Sequence, residues 1–351
     1  MMQGVLGTLP PAEAASDGGG TWPWSLVIVV GIVAAVVLVL SVLAKYLRIA
    51  INLFLDTPLP VTANLQDFTP PEGEIVYFPS LEGRSLRGMF IDRPAASPRG
   101  GPAGTPDRGT IIFCHEFGSD MMSAARYAWP LIEAGFTVFT FDFRGHGRSF
   151  TPPRFEPRHW PSNHDVNDIL AALAYVESRR DMNDQGIGIF GISRGASAAV
   201  MAAAIQPSIR CLAVDGVFST DSSIDELIKR WAQIFARIDL ARASRSESAY
   251  RFFRALIMFY VELKCRCRFP STRKALPKLE SVPVLFIHGE RDTYVRPEQT
   301  RALYDLKPGA KELWICPDAK HNQAVVTDPK TYGRNLTSFF GRYLPAGARG
   351  A

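Results

Sequence analysis

The chain has 351 residues, of which 47% are hydrophobic and 21% charged, and a net charge of +5. That balance excludes a disordered or low-complexity protein and leaves room for one large α/β domain with additions. Its five cysteines, an odd number spread over Cys114, Cys211, Cys265, Cys267 and Cys316, exclude a disulfide framework and fit a reducing compartment.

No charged residue lies between Gly18 and Ala44, and Leu26 to Leu43 is almost wholly Val, Leu, Ile, Ala and Gly. A run of that length at helical rise covers the hydrocarbon thickness of a bilayer. Residues 1–21 are therefore expected to be a flexible tail and residues 22–46 a single transmembrane helix. Trp22 and Trp24 at one end, and Lys45, Tyr46 and Arg48 at the other, are placed as interfacial anchors. The first base in the chain is Lys45, whereas Glu13 and Asp17 precede the span, so the positive-inside rule puts the C-terminal side in the cytoplasm. A cleaved signal peptide would need a basic leader, and residues 1–25 contain no Lys or Arg. Residues 47–70 read as a juxtamembrane linker. Within it, Leu47 to Leu59 either lies on the membrane surface or prolongs the helix, until Pro58 and Pro60 break it.

From residue 71 to 346 the pattern is that of one α/β domain, with a short tail at 347–351. Glu74–Ser80 and Leu86–Ile91 alternate and read as an antiparallel pair, and the Pro/Gly-rich stretch Pro94–Arg108 as a surface loop. Wholly apolar runs then alternate with helical patterns. The strands are expected at Thr110–Cys114, Thr137–Phe143, Ile187–Phe190, Leu212–Phe218, Val284–Ile287 and Leu313–Cys316. The helices are expected near Met121–Ala134, Val166–Arg179, after Ser193, Pro297–Leu306 and Pro329–Tyr343. Strands apolar throughout and separated by helices form a parallel sheet covered on both faces. About residues 220–281 the alternation stops in favour of helical pattern, with a capping-box start at Ser223-Ile224-Asp225-Glu226. Residues 222–281 carry 13 Lys or Arg against 6 Asp or Glu, a net of +7. The same segment holds Trp231, Phe235, Tyr250, Phe252, Phe253, Phe259 and Tyr260. It reads as a helical cap above the C-terminal edge of the sheet, whose bases meet anionic lipid headgroups or simply face water.

The chemistry centres on Gly191-Ile192-Ser193-Arg194-Gly195, between the strand Ile187–Phe190 and a stretch of small residues. A Ser at a sharp strand-to-helix corner, with Gly two residues to either side, is a nucleophile elbow: a side chain at either flank would meet backbone. Acid and base then follow in order. Asp292 comes just after the strand that ends in His288-Gly289, and His321 just after the strand ending at Cys316. Strand ends on one edge of a parallel sheet bring such loops together. His321 would take the Ser193 proton, with Asp292 fixing its tautomer. Asp221 is the substitute acid, and Glu290 is a surface residue or one that supports the acid from behind. His115, His146, His159, His164 and His288 have structural readings. Two backbone N–H groups should form an oxyanion hole: that of Arg194 and one from His115-Glu116-Phe117-Gly118, best that of Phe117.

With these residues the chain resembles a serine hydrolase of the α/β-hydrolase superfamily over about Glu74 to Tyr343. Asp142-Phe143-Arg144-Gly145-His146-Gly147-Arg148-Ser149 is similar to the D-x-R-G-x-G-x-S turn of that fold, read here as structural. Gly289-Glu290-Arg291-Asp292 matches its acid loop, and the insertion matches the place of its cap. Glu116 departs from the family, whose oxyanion loop usually has Gly after His. Its carboxylate would narrow the site, bind a hydroxyl or cation, repel an anion, or point to solvent. The resemblance implies hydrolysis of an ester by an acyl-enzyme, without a cofactor, on a small-molecule or lipid substrate beside a bilayer. A serine peptidase or an acyltransferase would share the triad, and a membrane-tethered binding protein is the non-catalytic alternative. No metal or nucleic acid is implied: His115-Glu116 lacks the second His of a zinc helix, and Cys265-Arg266-Cys267, a candidate lipidation site, lacks a partner pair.

Overall fold

The computed structural model describes residues 23–56, 72–91, 108–179, 186–235 and 247–344. The expected tails at 1–21 and 347–351, the anchor Trp22, most of the linker and most of the loop Pro94–Arg108 lie outside them. The side chains of Trp231, Phe235 and Tyr250 do as well. The chain divides into two units, Met1–Ile49 and Ala50–Ala351.

The first unit consists, among the described residues, of the start of helix α1, Trp24–Asp56. It is long and apolar enough to cross a membrane, and Val27 to Leu40 leave their aliphatic side chains exposed. The expected boundary at residue 46 does not end the helix. Residues 47–56 remain helical because their apolar face has something to pack on: Ala50, Ile51, Phe54 and Leu55 are buried within the second unit. Phe54 stacks on Trp160 at 5.0 Å and meets the edge of Phe269 at 5.2 Å. The last-turn carbonyls, which have no partner inside a helix, accept from Trp160 Nε1 (at Phe54 O, 3.0 Å) and from Arg158 (at Leu55 O).

The second unit is an eight-stranded sheet in the order β1-β2-β4-β3-β5-β6-β7-β8. The strands are β1 Glu74–Pro79, β2 Ser85–Ile91, β3 Arg108–Cys114, β4 Phe136–Phe141, β5 Ile187–Ile192, β6 Ile209–Asp215, β7 Val284–Gly289 and β8 Lys311–Cys316. β1–β2 and β2–β4 pair antiparallel and the remaining neighbours parallel. β3, β4, β5, β6 and β7 are buried along nearly their whole length, as their unbroken apolar runs require.

Helices cover both faces. α2 Ala124–Tyr127, α3 Trp129–Glu133, α10 Ala324–Thr327 and α11 Pro329–Tyr343 enclose one core with Phe113, Phe190 and Ile287. α4 Asn163–Ser178, α5 Arg194–Ala203, α8 Thr272–Ala275 and α9 Pro297–Leu306 enclose the other with Ile112, Ile189 and Val214. The single helix expected near Met121–Ala134 is instead a 3₁₀ turn at Met121–Ser123 followed by α2 and α3. Pro130 explains the break: it has no N–H and its ring would strike the carbonyl four residues back.

Between β6 and β7 lie α6 Thr220–Phe235 and α7 Glu247–Cys265, which pack on each other. Ser223 is not the cap of α6. The helix begins a turn earlier at Thr220, and the Ser223 hydroxyl instead donates to Gln299.

The turn after β4 is held by charge. The Asp142 carboxylate accepts from Met121 N and Arg148 N at 2.9 Å each. Arg144, 1% exposed at its side chain, meets the fully buried Asp168 at 2.7 Å and Glu82 at 2.9 Å. Burial pushes the Asp168 carboxyl up to about 6 even with the guanidinium bonded to it. Removing one partner of such a pair leaves the other charge stranded, at about 3–5 kcal/mol. Arg144→Met should lower the urea midpoint by a corresponding amount. Arg144→Met combined with Asp168→Asn should recover part of the loss; no recovery would mean that the pair is not what stabilises this turn.

Candidate active site

Ser193 stands at the corner between β5 and α5 with φ 51° and ψ −111°, a conformation that residues with a Cβ rarely adopt. Its neighbours impose it. A Cβ on Gly191 would lie 2.6 Å from Ala196 Cα, and one on Gly195 would lie 2.3 Å from the Cys114 carbonyl oxygen. Ser193 N donates to Asp215 O at 2.7 Å, tying the corner to the end of β6. The run Ala196, Ala198, Ala199, Ala202 and Ala203 then lets α5 lie close on the sheet, with all ten of its residues buried.

The sheet edge brings the distant residues to this corner. Ser193 Oγ is 2.9 Å from His321 Nε2, and His321 Nδ1 is 2.6 Å from Asp292 Oδ2. β8 ends at Cys316 directly before the His321 loop, and β7 ends at Gly289 directly before Asp292. The β7–β8 pairing is continued by Glu290 N and Arg291 N, which donate to Cys316 O and Ala319 O and so stitch the two loops together. Asp221, the substitute acid, is engaged elsewhere, with Ser219 and Arg273. Glu290 is exposed, with Asp318 N at 3.4 Å from its carboxylate.

Two residues around Asp292 were not singled out from the sequence. His288 Nε2 lies 2.8 Å from Val295 O and 3.2 Å from Asp292 Oδ2, although the imidazole reads as a strand end. Tyr294 sets its ring against His321 at 5.2 Å. The one available signal was that His288 precedes Asp292 by four residues at the end of a buried strand. Burial opposes ionisation of Asp292, but hydrogen bonds from His288 and His321 outweigh it. With Tyr294 N and Val295 N also donating to Oδ1 at 2.8 and 2.9 Å, the carboxyl is held well below the ordinary range.

The loop after β3 is ordered by His115, whose Nδ1 donates to Glu116 O (2.7 Å) while Nε2 accepts from Phe143 N (3.2 Å). Burial pushes that imidazole down to about 3, so it is neutral, as this bonding pattern requires. Glu116 does not point to solvent. It is 7% exposed, and its carboxylate accepts from Ser123 Oγ at 3.2 Å and Tyr127 OH at 3.4 Å, with burial raising its pKa. Phe117 is half-buried beside His146 and His159. The Arg194 side chain is buried and paired with Asp165, while its backbone opens the first turn of α5.

A cavity of about 510 Å³ adjoins the site. Trp160, Phe218, Leu227, Tyr294 and Val295 line it together with the charged Glu226, Lys229, Arg230 and Arg296, with α6 as one wall. Its size is in the range of small-molecule pockets. Among the described residues no group of His, Cys, Asp or Glu is arranged to hold a metal ion.

The model of the family described as "Alpha/beta hydrolase family" matches residues 111–332. YqkD of Bacillus subtilis is 26% identical over 280 residues, covering 78% of this chain and 81% of its own. The acyltransferase DrtE of Aspergillus calidoustus is 24% identical over 295 residues, covering 74% of this chain and 91% of its own. A crystal structure of an esterase from Pyrococcus furiosus superposes with a TM-score of 0.56 at 22% identity, covering 82% of this chain and 97% of that one.

Two outcomes test the geometry. Gly195→Ala drives a Cβ into the Cys114 carbonyl and should destabilise the domain by roughly 1–3 kcal/mol. Gly31→Ala, with nothing within 4 Å, should leave it unchanged in the same denaturation assay. Because folding depresses the Asp292 pKa, its stabilisation is present above the unfolded value of about 3.9 and lost as pH falls further. Wild type should melt above Asp292→Asn at pH 7, with the gap closing below about pH 4. A gap independent of pH would mean that the carboxylate is not held ionised.

Proposed function

Because this chain belongs to the alpha/beta hydrolase family, we propose that it is a membrane-anchored serine hydrolase cleaving carboxylic esters, acyl lipids and other hydrophobic esters included. One observation carries the reading: the unbroken hydrogen-bond chain from Ser193 Oγ through His321 to Asp292. His321 Nε2 accepts the hydroxyl proton as Oγ attacks the ester carbonyl, and Asp292 stabilises the imidazolium that forms. The same imidazolium then protonates the leaving alcohol. In the second half, His321 draws a proton from water, which attacks the acyl-enzyme and frees the acid. No cofactor takes part in this sequence.

The negative charge on the carbonyl oxygen is met by the backbone N–H groups of Arg194 and Phe117. Arg194 opens α5, where first-turn amides have no intrahelical acceptor. Phe117 follows β3, which pairs with β5 so that Cys114 stands opposite Gly191. The cavity beside Tyr294 receives the apolar part of the substrate against Trp160, Phe218, Leu227 and Val295, while Glu226, Lys229, Arg230 and Arg296 on the same lining face its polar part. α1 anchors the domain to the bilayer, with the side bearing Lys45 and Arg48 in the cytoplasm.

A second reading has one observation in its favour, the similarity to DrtE. On the same triad, an alcohol or amine acceptor in place of water would make the enzyme an acyltransferase.

A fluorophosphonate probe should label the wild type, and Ser193→Ala should abolish the label; equal labelling of both would sink the assignment of the nucleophile. On p-nitrophenyl esters of graded acyl length, Ser193→Ala and His321→Ala should each lose roughly 10⁴-fold or more in kcat, and Asp292→Asn a comparable factor. Full activity in the Asp292 variant would remove that residue from the triad. If adding glycerol or a long-chain alcohol diverts product from free acid to a new ester at unchanged probe labelling, the acyltransferase reading replaces hydrolysis.

A further inference from the structure

We propose that the outward face of α7 inserts into the bilayer surface and gives the hydrolase domain a membrane contact besides α1. The inference deepens the membrane-anchored reading above and rests on it for the presence of a bilayer.

α7 is apolar on two opposite sides. Ile257 and Val261, 1% and 0% exposed, face the domain. At about 100° per residue, Phe252, Phe259 and Leu263 fall within roughly 40° of one another on the other side. They are 64%, 65% and 67% exposed, and Tyr260 beside them is 47% exposed. No charged residue interrupts the sector formed by residues 252, 255, 256, 259, 260 and 263. Elsewhere among the described residues of the domain no stripe of this length is exposed: Ile75 and Tyr77 form a pair on β1, and Trp129, Ile205 and Val326 stand apart. Scattered apolar residues need no explanation, whereas a contiguous stripe over three helical turns marks a surface that something covers.

Two observations name the bilayer as what covers it. The C-terminal end of α7 adjoins the C-terminal end of α1. Leu55, Lys264, Cys265 and Cys267 line one cavity of about 180 Å³, and Phe54 meets Phe269 at 5.2 Å. Phe54 follows Leu43, the end of the uncharged apolar run, by only eleven residues of sequence. The second observation is charge. Lys264, Arg266 and Arg268 are exposed where the stripe ends, although Arg268 also pairs with Glu262 at 2.7 Å. An apolar face with bases at its margin matches acyl chains below and anionic headgroups above.

The test uses the full chain in vesicles of phosphatidylcholine and phosphatidylglycerol. p-Benzoylphenylalanine is placed singly at Phe252, Phe259 or Leu263, or at Tyr77, an exposed aromatic on β1. Irradiation should give adducts with lipid acyl chains at the three α7 positions, and the adduct should be lost at position 77. Adducts joining two protein chains would overturn the proposal in favour of a second copy as the occupant. Carbonate washing separates it from the reading of α1. Retained protein without lipid adducts overturns the α7 contact and leaves the anchor standing. Adducts on protein that carbonate removes support α7 and overturn the anchor, and removal without adducts overturns both.

Discussion

Ser193 is held in a backbone conformation that a free chain avoids, and the rest of the domain is arranged to keep it there. At φ 51° the residue costs about 1–3 kcal/mol, which persists only where the surroundings over-determine the corner. Here they do. β5 lies between β3 and β6 and is buried along its length. The carbonyls of Cys114 and His115 crowd Gly195, and Ala196 crowds Gly191. The Asp215 carbonyl takes the Ser193 N–H. With the sheet on one side and α5 on the other, the hydroxyl is directed to the strand-end edge. That is where β7 and β8 deliver Asp292 and His321.

Three imidazoles packed around the corner are held neutral. Burial pushes His115 and His159 down to about 3 and His146 to about 2, with Arg194 adding to the effect for all three. They are neutral at any ordinary pH. The Arg194 guanidinium lies over the rings of Phe117 and Phe143 and is paired with Asp165. In the proposed reaction, stabilisation of a carbonyl oxyanion therefore falls to backbone amides and the N-terminal end of α5 rather than to a side-chain cation. Glu116 fits this economy: its carboxylate is turned toward Ser123 and Tyr127, where burial favours the protonated form.

Much of this was legible in the sequence because local pattern and global architecture agree. Continuous apolar runs alternating with helical patterns located the parallel strands, and the order Ser193, Asp292, His321 followed from strand ends sharing an edge. What was not legible depended on contacts between segments far apart in the chain. Leu47 to Leu59 reads first as a segment on the membrane surface, with a continued helix as the alternative, and the contacts of Phe54 with Trp160 and Phe269 decide for helix as far as Asp56. The S-x-x-E string at Ser223 has the letters of a cap, yet the helix starts at Thr220 and the serine bonds Gln299. His288 reads as a strand end, and its approach to Asp292 needs the loop to fold back by one turn. The pairs Arg144–Asp168 and Arg194–Asp165 join residues more than twenty apart with no spacing that announces them.

The end of α1 is a structural part of the hydrolase domain rather than a tether. Trp160 makes the connection. Its indole N–H donates to Phe54 O, its ring stacks on Phe54, and the same ring meets Phe218 at 6.0 Å and lines the cavity beside Tyr294. Arg158 caps Leu55 O from the same loop, and His159 between them reaches the Phe117 ring. Residues 158–160 thus share their contacts between the last turn of α1 and the wall of the cavity. A loop fixed at both ends cannot move at one without moving at the other. The final turns of α1 therefore help set the position of Trp160 and His159, and with them the shape of the space in which the proposed substrate lies.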